Sequence, residues 1–503
     1  MNLRVTNQNL LASLLWYVAS IALILVVILS ITRPMIPWDS WAYHFPFSAN
    51  IFDINNYSKN FLLDKSLQIR YEGFPLLPEF LQGLLWIATN SLSATTLINS
   101  VSLAIFIIVA YKYGPANFPI LVFGTLSIPL IAVHALSTYI DLFVGVWLAF
   151  QYLVAIIIYR HFSGAKVSSR LLVWYALFIS ASFISGNSKM WAPVISFAIT
   201  ACLLIAILNI RREGLSKNIL GRFIAVLAIS TILSCSTFIK NSIIHSNPIY
   251  PIQYSIPVFN MHLNGPEIEY KNYPGYADGF GVFQRPIYFV LSISEYDWII
   301  RGVDPFYKLE TGMGDNPTKY SPARTGGWWG LDVVISLSII LSILIIRKLP
   351  KFKTREIDLF PLSLFGAITV LTAFMPQSHE LRYFLYWPLM LIFNIAYLTK
   401  NLIYSRINSN FIVAIYCGLF LYSTFVLRGE TLESLLLFKT QAQLIGVSSN
   451  ADEIITAKRL GGICLGPEYN PNQFKYSSGF QGGNYVIEQG WLGCKHYPEY
   501  RRP

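Results

Sequence analysis

Charge is scarce in this chain. Only 13% of its 503 residues are Asp, Glu, Lys or Arg, against 54% hydrophobic, whereas soluble domains carry about 25% charged residues. With a mean hydropathy of +0.50, that deficit excludes an ordinary soluble domain and points to a polytopic membrane protein. Cysteine is sparse too. There are five, with no CxxC or HExxH spacing, so neither a disulfide scaffold nor a zinc motif is expected. Cys202, Cys235 and Cys417 lie in apolar runs, where cysteine packs as a small hydrophobe. Cys464 and Cys494 lie in the C-terminal tail, where an oxidising compartment would allow them to pair. Internal repeats, low-complexity tracts and the inverted repeats of transporters are all missing. Lys and Arg outnumber Asp and Glu by 37 to 26, for a net charge of +11. These basic residues sit in short loops between apolar runs, which reflects membrane orientation rather than nucleic-acid binding.

What is present is a series of apolar runs. Eleven spans are expected, at roughly 10–32, 94–112, 117–135, 142–160, 171–186, 190–209, 222–239, 331–346, 358–375, 383–400 and 411–428, each near the roughly 20 residues that a crossing helix needs. The first is too long and lacks the small-residue cleavage site of a signal peptide, so it is expected to be retained. Alternate loops carry Lys112; Arg160, Lys166 and Arg170; Arg211, Arg212, Lys217 and Arg222; Arg347, Lys348, Lys351, Lys353 and Arg355; Lys400 and Arg406. The positive-inside rule makes these loops cytoplasmic, with the N-terminus inside and the C-terminus outside. A membrane body over 1–428 and a small external region over 429–503 follow as the expected division.

The opposite face receives two long loops, 33–93 and 240–330, and three short turns, 136–141, 186–190 and 376–382. Loops this long in a compact protein usually form lids, clefts or binding surfaces. The first begins with Pro37-Trp-Asp-Ser-Trp-Ala-Tyr-His-Phe-Pro46, which sets Asp39 where the chain leaves the membrane. Further on, Pro78 is placed to start a helix. Leu81, Leu84 and Leu85 then share a face, so an amphipathic helix lying in the interface is expected, with a second from Asp39 to about Phe52. The second loop is rich in Tyr, Pro and Gly, as in Asn247-Pro-Ile-Tyr-Pro251 and Gly326-Gly-Trp-Trp-Gly330, and reads as turn-dominated.

Taken in order, these segments resemble the GT-C superfamily of glycosyltransferases, membrane enzymes that use polyprenyl-phosphate sugars on the external face. The resemblance is carried by Trp38-Asp-Ser-Trp-Ala-Tyr-His-Phe-Pro46, Tyr139-Ile-Asp141, Gly186-Asn-Ser-Lys189, Lys240-Asn-Ser-Ile-Ile-His-Ser-Asn-Pro-Ile-Tyr-Pro251 and His379-Glu-Leu-Arg-Tyr383. It covers most of residues 10–400 and implies an all-α membrane fold with external acidic positions at Asp39 and Asp141. Two departures stand out: Ser40 follows Asp39 where the family often has an acidic pair, and His245-Ser replaces the Gly that often precedes Asn-Pro.

The chemistry implied needs a base for the acceptor hydroxyl, positive charge for the departing lipid phosphate and a water-poor cleft. Asp39 is the expected base, with helix N-capping as its alternative role. Asp141 is the second catalytic carboxylate; it orients the acceptor, caps its helix, or shares a divalent cation (Mg or Mn) with Asp39. Metal-free transfer is equally compatible. Lys189, Lys240 and Arg382 are the candidate donor-phosphate ligands, unless they snorkel to lipid headgroups. Tyr43, His44, Glu79, His379 and Glu380 are the candidate cleft residues. The expected function is inverting transfer of a monosaccharide from a polyprenyl phosphate to a lipid, glycan or protein acceptor at a bacterial-type inner membrane. An envelope-polysaccharide polymerase or ligase would need a more basic external loop than 240–330, where Lys271, Arg285 and Arg301 are offset by Glu267, Glu269, Asp278, Glu295 and Asp297. A lipid or solute transporter would show broken helices and mid-membrane ionisable groups.

Overall fold

The computed structural model describes residues 2–32, 40–54, 65–164, 170–210, 217–256, 261–268, 284–293, 327–348, 358–375, 381–402 and 409–424. The chain is helical throughout most of these. Helix α1 spans Asn2–Thr32. A five-residue π-helix, Ser40–His44, runs into α2, Phe45–Phe52. Then come α3, Lys65–Gly73, and α4, Leu77–Thr89. The 3-10 turn Leu92–Thr96 leads into α5, Leu97–Lys112. Next are α6, Phe118–Leu126; α7, Pro129–Ala135; α8, Asp141–Ser163; α9, Leu171–Gly186; and α10, Ala192–Asn209. They are followed by α11, Lys217–Ser234, and α12, Ser236–His245. After a small sheet come α13, Arg285–Ile293; α14, Gly327–Lys348; α15, Phe360–Ala373; α16, Tyr386–Leu402; and α17, Ser409–Thr424.

Four of these segments are long and apolar enough to cross a membrane alone: Leu10–Thr32, Leu92–Lys112, Asp141–Ser163 and Ala192–Asn209. The protein is therefore an integral, multi-pass membrane protein. Two further pairs reach that length only together. The expected span 117–135 is α6 plus α7, bent by 91°. Pro129 explains the break, because it has no N–H for the ladder and holds the preceding Ile128 in extended backbone. The expected span 222–239 is α11 plus α12, bent by 52° at Cys235. Among the described residues, Leu171–Gly186, Asp332–Ile346, Phe360–Ala373 and Ser409–Thr424 are shorter apolar helices. The eleven expected runs fall on helices, 411–428 as far as Thr424; among the described residues, four helices are long and apolar enough to cross alone, or six if each bent pair is one span.

Helix α8 is the centre. It is buried on nearly every side and packs against α5, α9, α10 and α16. Between Asp141 and Arg160 its sequence is apolar on every side except at Gln151, as a helix enclosed by others should be. Helices in lipid gain no hydrophobic advantage from meeting each other, so close packing at small residues holds them together. Gly186 illustrates this, since a methyl placed there would meet Ser234 Cα at 2.7 Å. Gly145 does the same for α8, where a methyl would lie 2.9 Å from the Tyr386 nitrogen. That clearance lets the segment before α16 lie one turn from Asp141.

The loop expected to be turn-dominated contains a three-stranded sheet, β1 Ile252–Ile256, β2 Met261–Leu263 and β3 Glu267–Ile268, in the order β2-β1-β3. β1 pairs antiparallel with β2, Ser255 opposite His262, and parallel with β3, Ile252 opposite Glu267. Asn241 and Asn247 fasten this loop. Asn241 Nδ2 donates to the carbonyls of Gly73 (2.8 Å) and Tyr250 (3.1 Å), and Asn247 Nδ2 to those of Ile252 and Asn264, both at 2.9 Å. The Lys240–Pro251 motif therefore stitches the second loop to the first. The 429–503 region, with Cys464 and Cys494, lies outside the described residues.

Candidate active site

Helix α4 starts at Leu77 with Pro78 in its first turn, as expected, and its two faces differ in the sense expected of an interfacial helix. The side chains it buries are Pro78, Glu79, Gln82 and Trp86, whereas Phe80, Leu84 and Ile87 are 43%, 47% and 50% exposed. Leu81 and Leu85 are only half-buried. In water the apolar face of a helix goes inward. Here the polar face goes inward and the apolar face outward, the arrangement of a helix bordering lipid.

Several segments meet against that polar face. Gln82 Nε2 donates to the Thr138 carbonyl at 2.8 Å, and the Leu77 backbone N–H donates to the Asn187 carbonyl at 3.2 Å. The Thr138 hydroxyl donates to the Ser40 hydroxyl. Asn99 Nδ2 donates to the carbonyls of Ser137 (2.8 Å) and Tyr139 (2.6 Å). The π-helix, α4 and the turns 136–140 and 187–191 are thereby held as one unit.

Asp141 opens α8 from within this unit and is 2% exposed. A carboxylate in the first turn of a helix is favoured by the helix dipole. Lys189 Nζ donates directly to Asp141 Oδ1 and lies 4.7 Å from the Tyr383 ring centroid. Arg382 reaches the same ring, 4.7 Å from its centroid, and donates to the Tyr383 hydroxyl at 2.7 Å. Arg382 and His134 both lie within electrostatic reach of Asp141. His134 is buried and stacks on Tyr139 at 4.9 Å. One carboxylate, two permanent cations and a histidine thus converge from turns separated by up to 248 residues of chain, between His134 and Arg382.

The second feature is a buried pair on the inner face of α4. His44 Nδ1 and Glu79 Oε1 share a hydrogen bond of 2.6 Å, with both side chains almost fully enclosed; with Glu79 ionised, Nδ1–H is the donor. Tyr43 packs its ring 4.2 Å from that of His44.

Of the sequence candidates, the structure brings together Asp141, Lys189 and Arg382, and separately His44, Glu79 and Tyr43. Lys240 goes elsewhere: its Nζ donates to the Glu72 carbonyl at 2.5 Å, leaving two of its three donors for other partners. Asp39, His379 and Glu380 lie outside the described residues. Reasoning from the sequence missed four contributors. Asn187 accepts from the hydroxyls of Ser236 (2.6 Å) and Thr237 (3.0 Å) while donating to the Leu233 carbonyl (2.8 Å). Gln82, His134 and Tyr383 are the others. Tyr383 and Asn187 had a visible signal, their places in the motifs that hold Arg382 and Lys189.

A divalent cation does not fit the described part of this site. Asp141 already receives an ammonium, Arg382 adds a second cation nearby, and no three His, Cys, Asp or Glu side chains gather as ligands among the described residues. Hard cations need several oxygen ligands.

No family model matches the chain, and no curated protein matches it. Among solved structures, the chain is similar to ArnT from Cupriavidus metallidurans in the apo state, with 12% identity and a TM-score of 0.41 over 87% of this chain and 80% of that one.

Proposed function

We propose that this protein is a GT-C-type membrane glycosyltransferase that moves a monosaccharide from a polyprenyl phosphate to an acceptor on the external face of a bacterial-type inner membrane. The observation that carries this reading is the convergence of Asp141, Lys189 and Arg382 at one end of the helical bundle. Two cations beside one carboxylate suit a site that must receive a phosphate, because the charge of the leaving group is then met by groups already in position. Arg382 supplies a planar fork for phosphate oxygens and Lys189 a point charge. Asp141 holds the Lys189 ammonium in place and orients the acceptor. Asp39 serves as the base, and Ser40, the next residue, is tied to the same turn through Thr138. His379 and Glu380 complete the cleft from the turn before Arg382, and the second loop and the region 429–503 select the acceptor. The sugar leaves with inverted configuration, as a single displacement with one base requires.

A transporter is the second reading, and two observations favour it. The two bent helix pairs and the buried Asp332, whose carboxyl meets Ser127 at the α6–α7 break at 3.3 Å, are features expected of transport proteins. The deciding experiment measures sugar transfer in nanodiscs from a panel of radiolabelled polyprenyl-phosphate monosaccharides to native envelope acceptor. Wild-type transfer that disappears in a folded Asp39→Asn variant is the expected result. Failure of every donor, together with solute uptake in proteoliposomes, would select the transporter.

A further inference from the structure

We infer that His44 and Glu79 form a hydroxyl-binding subsite for the sugar, in which His44 Nε2 accepts a hydrogen bond from one substrate hydroxyl and Glu79 is the positioning residue. The inference rests on the transferase reading above and adds to it the residues that recognise the sugar itself.

Hydrogen accounting leads there. The bond between His44 Nδ1 and an ionised Glu79 puts a proton on Nδ1, and in the neutral form of the ring Nε2 then carries a lone pair. His44 Nε2 and Glu79 Oε2 are both buried without a hydrogen-bond partner among the described residues. So are Gln82 Oε1, one turn further along the same face of α4, and Asn99 Oδ1, whose amide is tied to the same turn. With the ring neutral and Glu79 ionised, all four are acceptors. Native structures pair nearly all such atoms, and leaving one desolvated costs about 1–3 kcal/mol. A set of acceptors calls for donors that carry no negative charge. A phosphate beside Glu79 would be repelled, whereas a sugar ring offers several O–H groups.

Position agrees with chemistry. The bonds from Leu77 N–H to Asn187 and from Gln82 to Thr138 fix α4 against the two turns that carry Lys189 and Asp141. The two subsites therefore hold a constant separation, as binding the two ends of one sugar phosphate demands. His44 also closes a five-residue π-helix, a rare conformation that concentrates at functional sites.

The test uses the full chain in nanodiscs with the donor it turns over, and with single-deoxy analogues of that donor and of the acceptor sugar. His44→Asn keeps an amide near the Nδ1 position to reach Glu79 and removes the Nε2 acceptor. His44→Gln places an amide oxygen near Nε2. Wild type should lose roughly 10- to 100-fold in kcat/KM when one particular hydroxyl is removed, as for a hydrogen bond within a polar buried site. His44→Asn should lose a similar factor on the full substrate and nothing further on that analogue, while His44→Gln should keep part of the discrimination. Whether the sensitive hydroxyl belongs to donor or acceptor follows from which analogue series shows it. Equal deoxy penalties in wild type and both variants overturn the subsite. Thermal-shift titration with the same analogues separates the two possible failures. Sugar discrimination that depends on His44 without any turnover overturns the transferase and keeps the subsite; turnover with unchanged discrimination does the reverse.

Discussion

The two ends of α8 are built from similar residues to different purposes. At the Arg160 end, Tyr159 stacks on Phe360 at 4.1 Å, Arg160 lies 6.0 Å from the Tyr397 ring, and the Tyr152 hydroxyl donates to the Pro361 carbonyl at 2.5 Å while accepting from Asn394 at 2.8 Å. These partners sit on α15 and α16, so the contacts staple three neighbouring helices. At the Asp141 end, the partners come from turns far apart in the chain; buried oxygens without mates among the described residues occur at both ends, Asn394 Oδ1 and Asp358 Oδ2 at the Arg160 end, but beside Asp141 those of Glu79, Gln82 and Asn99 gather on segments tied to one turn. A charge that only ties helices together needs one good partner. A cluster that leaves polar capacity unused in a buried setting carries a cost that folding alone does not repay, and such costs collect where a ligand binds.

The strongest way to break this contrast is to remove Asp141. Asp141→Asn should lower transfer by about 100-fold or more, the scale for losing a positioned electrostatic group. It should also destabilise the fold by up to about 3–5 kcal/mol, because Lys189 keeps its charge in a mostly enclosed place. Asp141→Leu with Lys189→Met should restore much of the melting temperature in detergent without restoring transfer. Transfer surviving in that double variant would reduce the ion pair to a staple like those at the other end.

Gly145 comes next. A methyl there meets the Tyr386 nitrogen at 2.9 Å and Leu385 Cβ at 3.0 Å, so Gly145→Ala must push away the segment that carries Arg382 and Tyr383. Overpacking of this kind costs about 1–3 kcal/mol, and a displacement near 1 Å at a reacting site is expected to slow turnover by roughly 10- to 100-fold. Comparing Gly145→Ala with Gly124→Ala, which meets the Ile392 side chain at 2.8 Å instead, sharpens the point. Both should lower the melting temperature, and only the first should change turnover.

How much of this was legible beforehand depended on the kind of signal. Apolar runs located the helices, because length and hydropathy are local properties. Acidic and basic residues at run ends located Asp141, Lys189 and Arg382 for the same reason. The break at Pro129 was readable in principle, but an unbroken apolar run over 117–135 concealed it. The apolar stripe of α4 is local and therefore legible, and it faces outward as an interfacial helix requires; which polar residues its other face buries, Glu79 and Gln82, depends on partners far along the chain. The pairing of His44 with Glu79 spans 35 positions and no local pattern encodes it. Lys240 looked equivalent to Lys189 in sequence, and only the stitching of the two loops separates them.

Gln82 tests whether the polar face of α4 positions the site or merely packs. Gln82→Met keeps the volume and removes the donor to the Thr138 carbonyl, leaving a buried acceptor, at a cost of about 1–3 kcal/mol. If α4 holds the subsite in register, KM for the sugar donor should rise along with the loss in melting temperature. An unchanged KM would assign Gln82 to packing alone.

The smallest expected effect lies at the opposite end of α8. Tyr159→Leu removes the stack on Phe360, and aromatic pairs add about 0.5–1.5 kcal/mol beyond their buried area. The hydroxyl of Tyr159 has no role in holding Asp141, and α8 is fixed along its length by α5, α9, α10 and α16. The variant should therefore melt slightly earlier and transfer sugar at the wild-type rate. A fall in turnover larger than the fall in stability would mean that α8 transmits strain from one end to the other, and the two ends would then have to be treated as one mechanical unit rather than as staple and site.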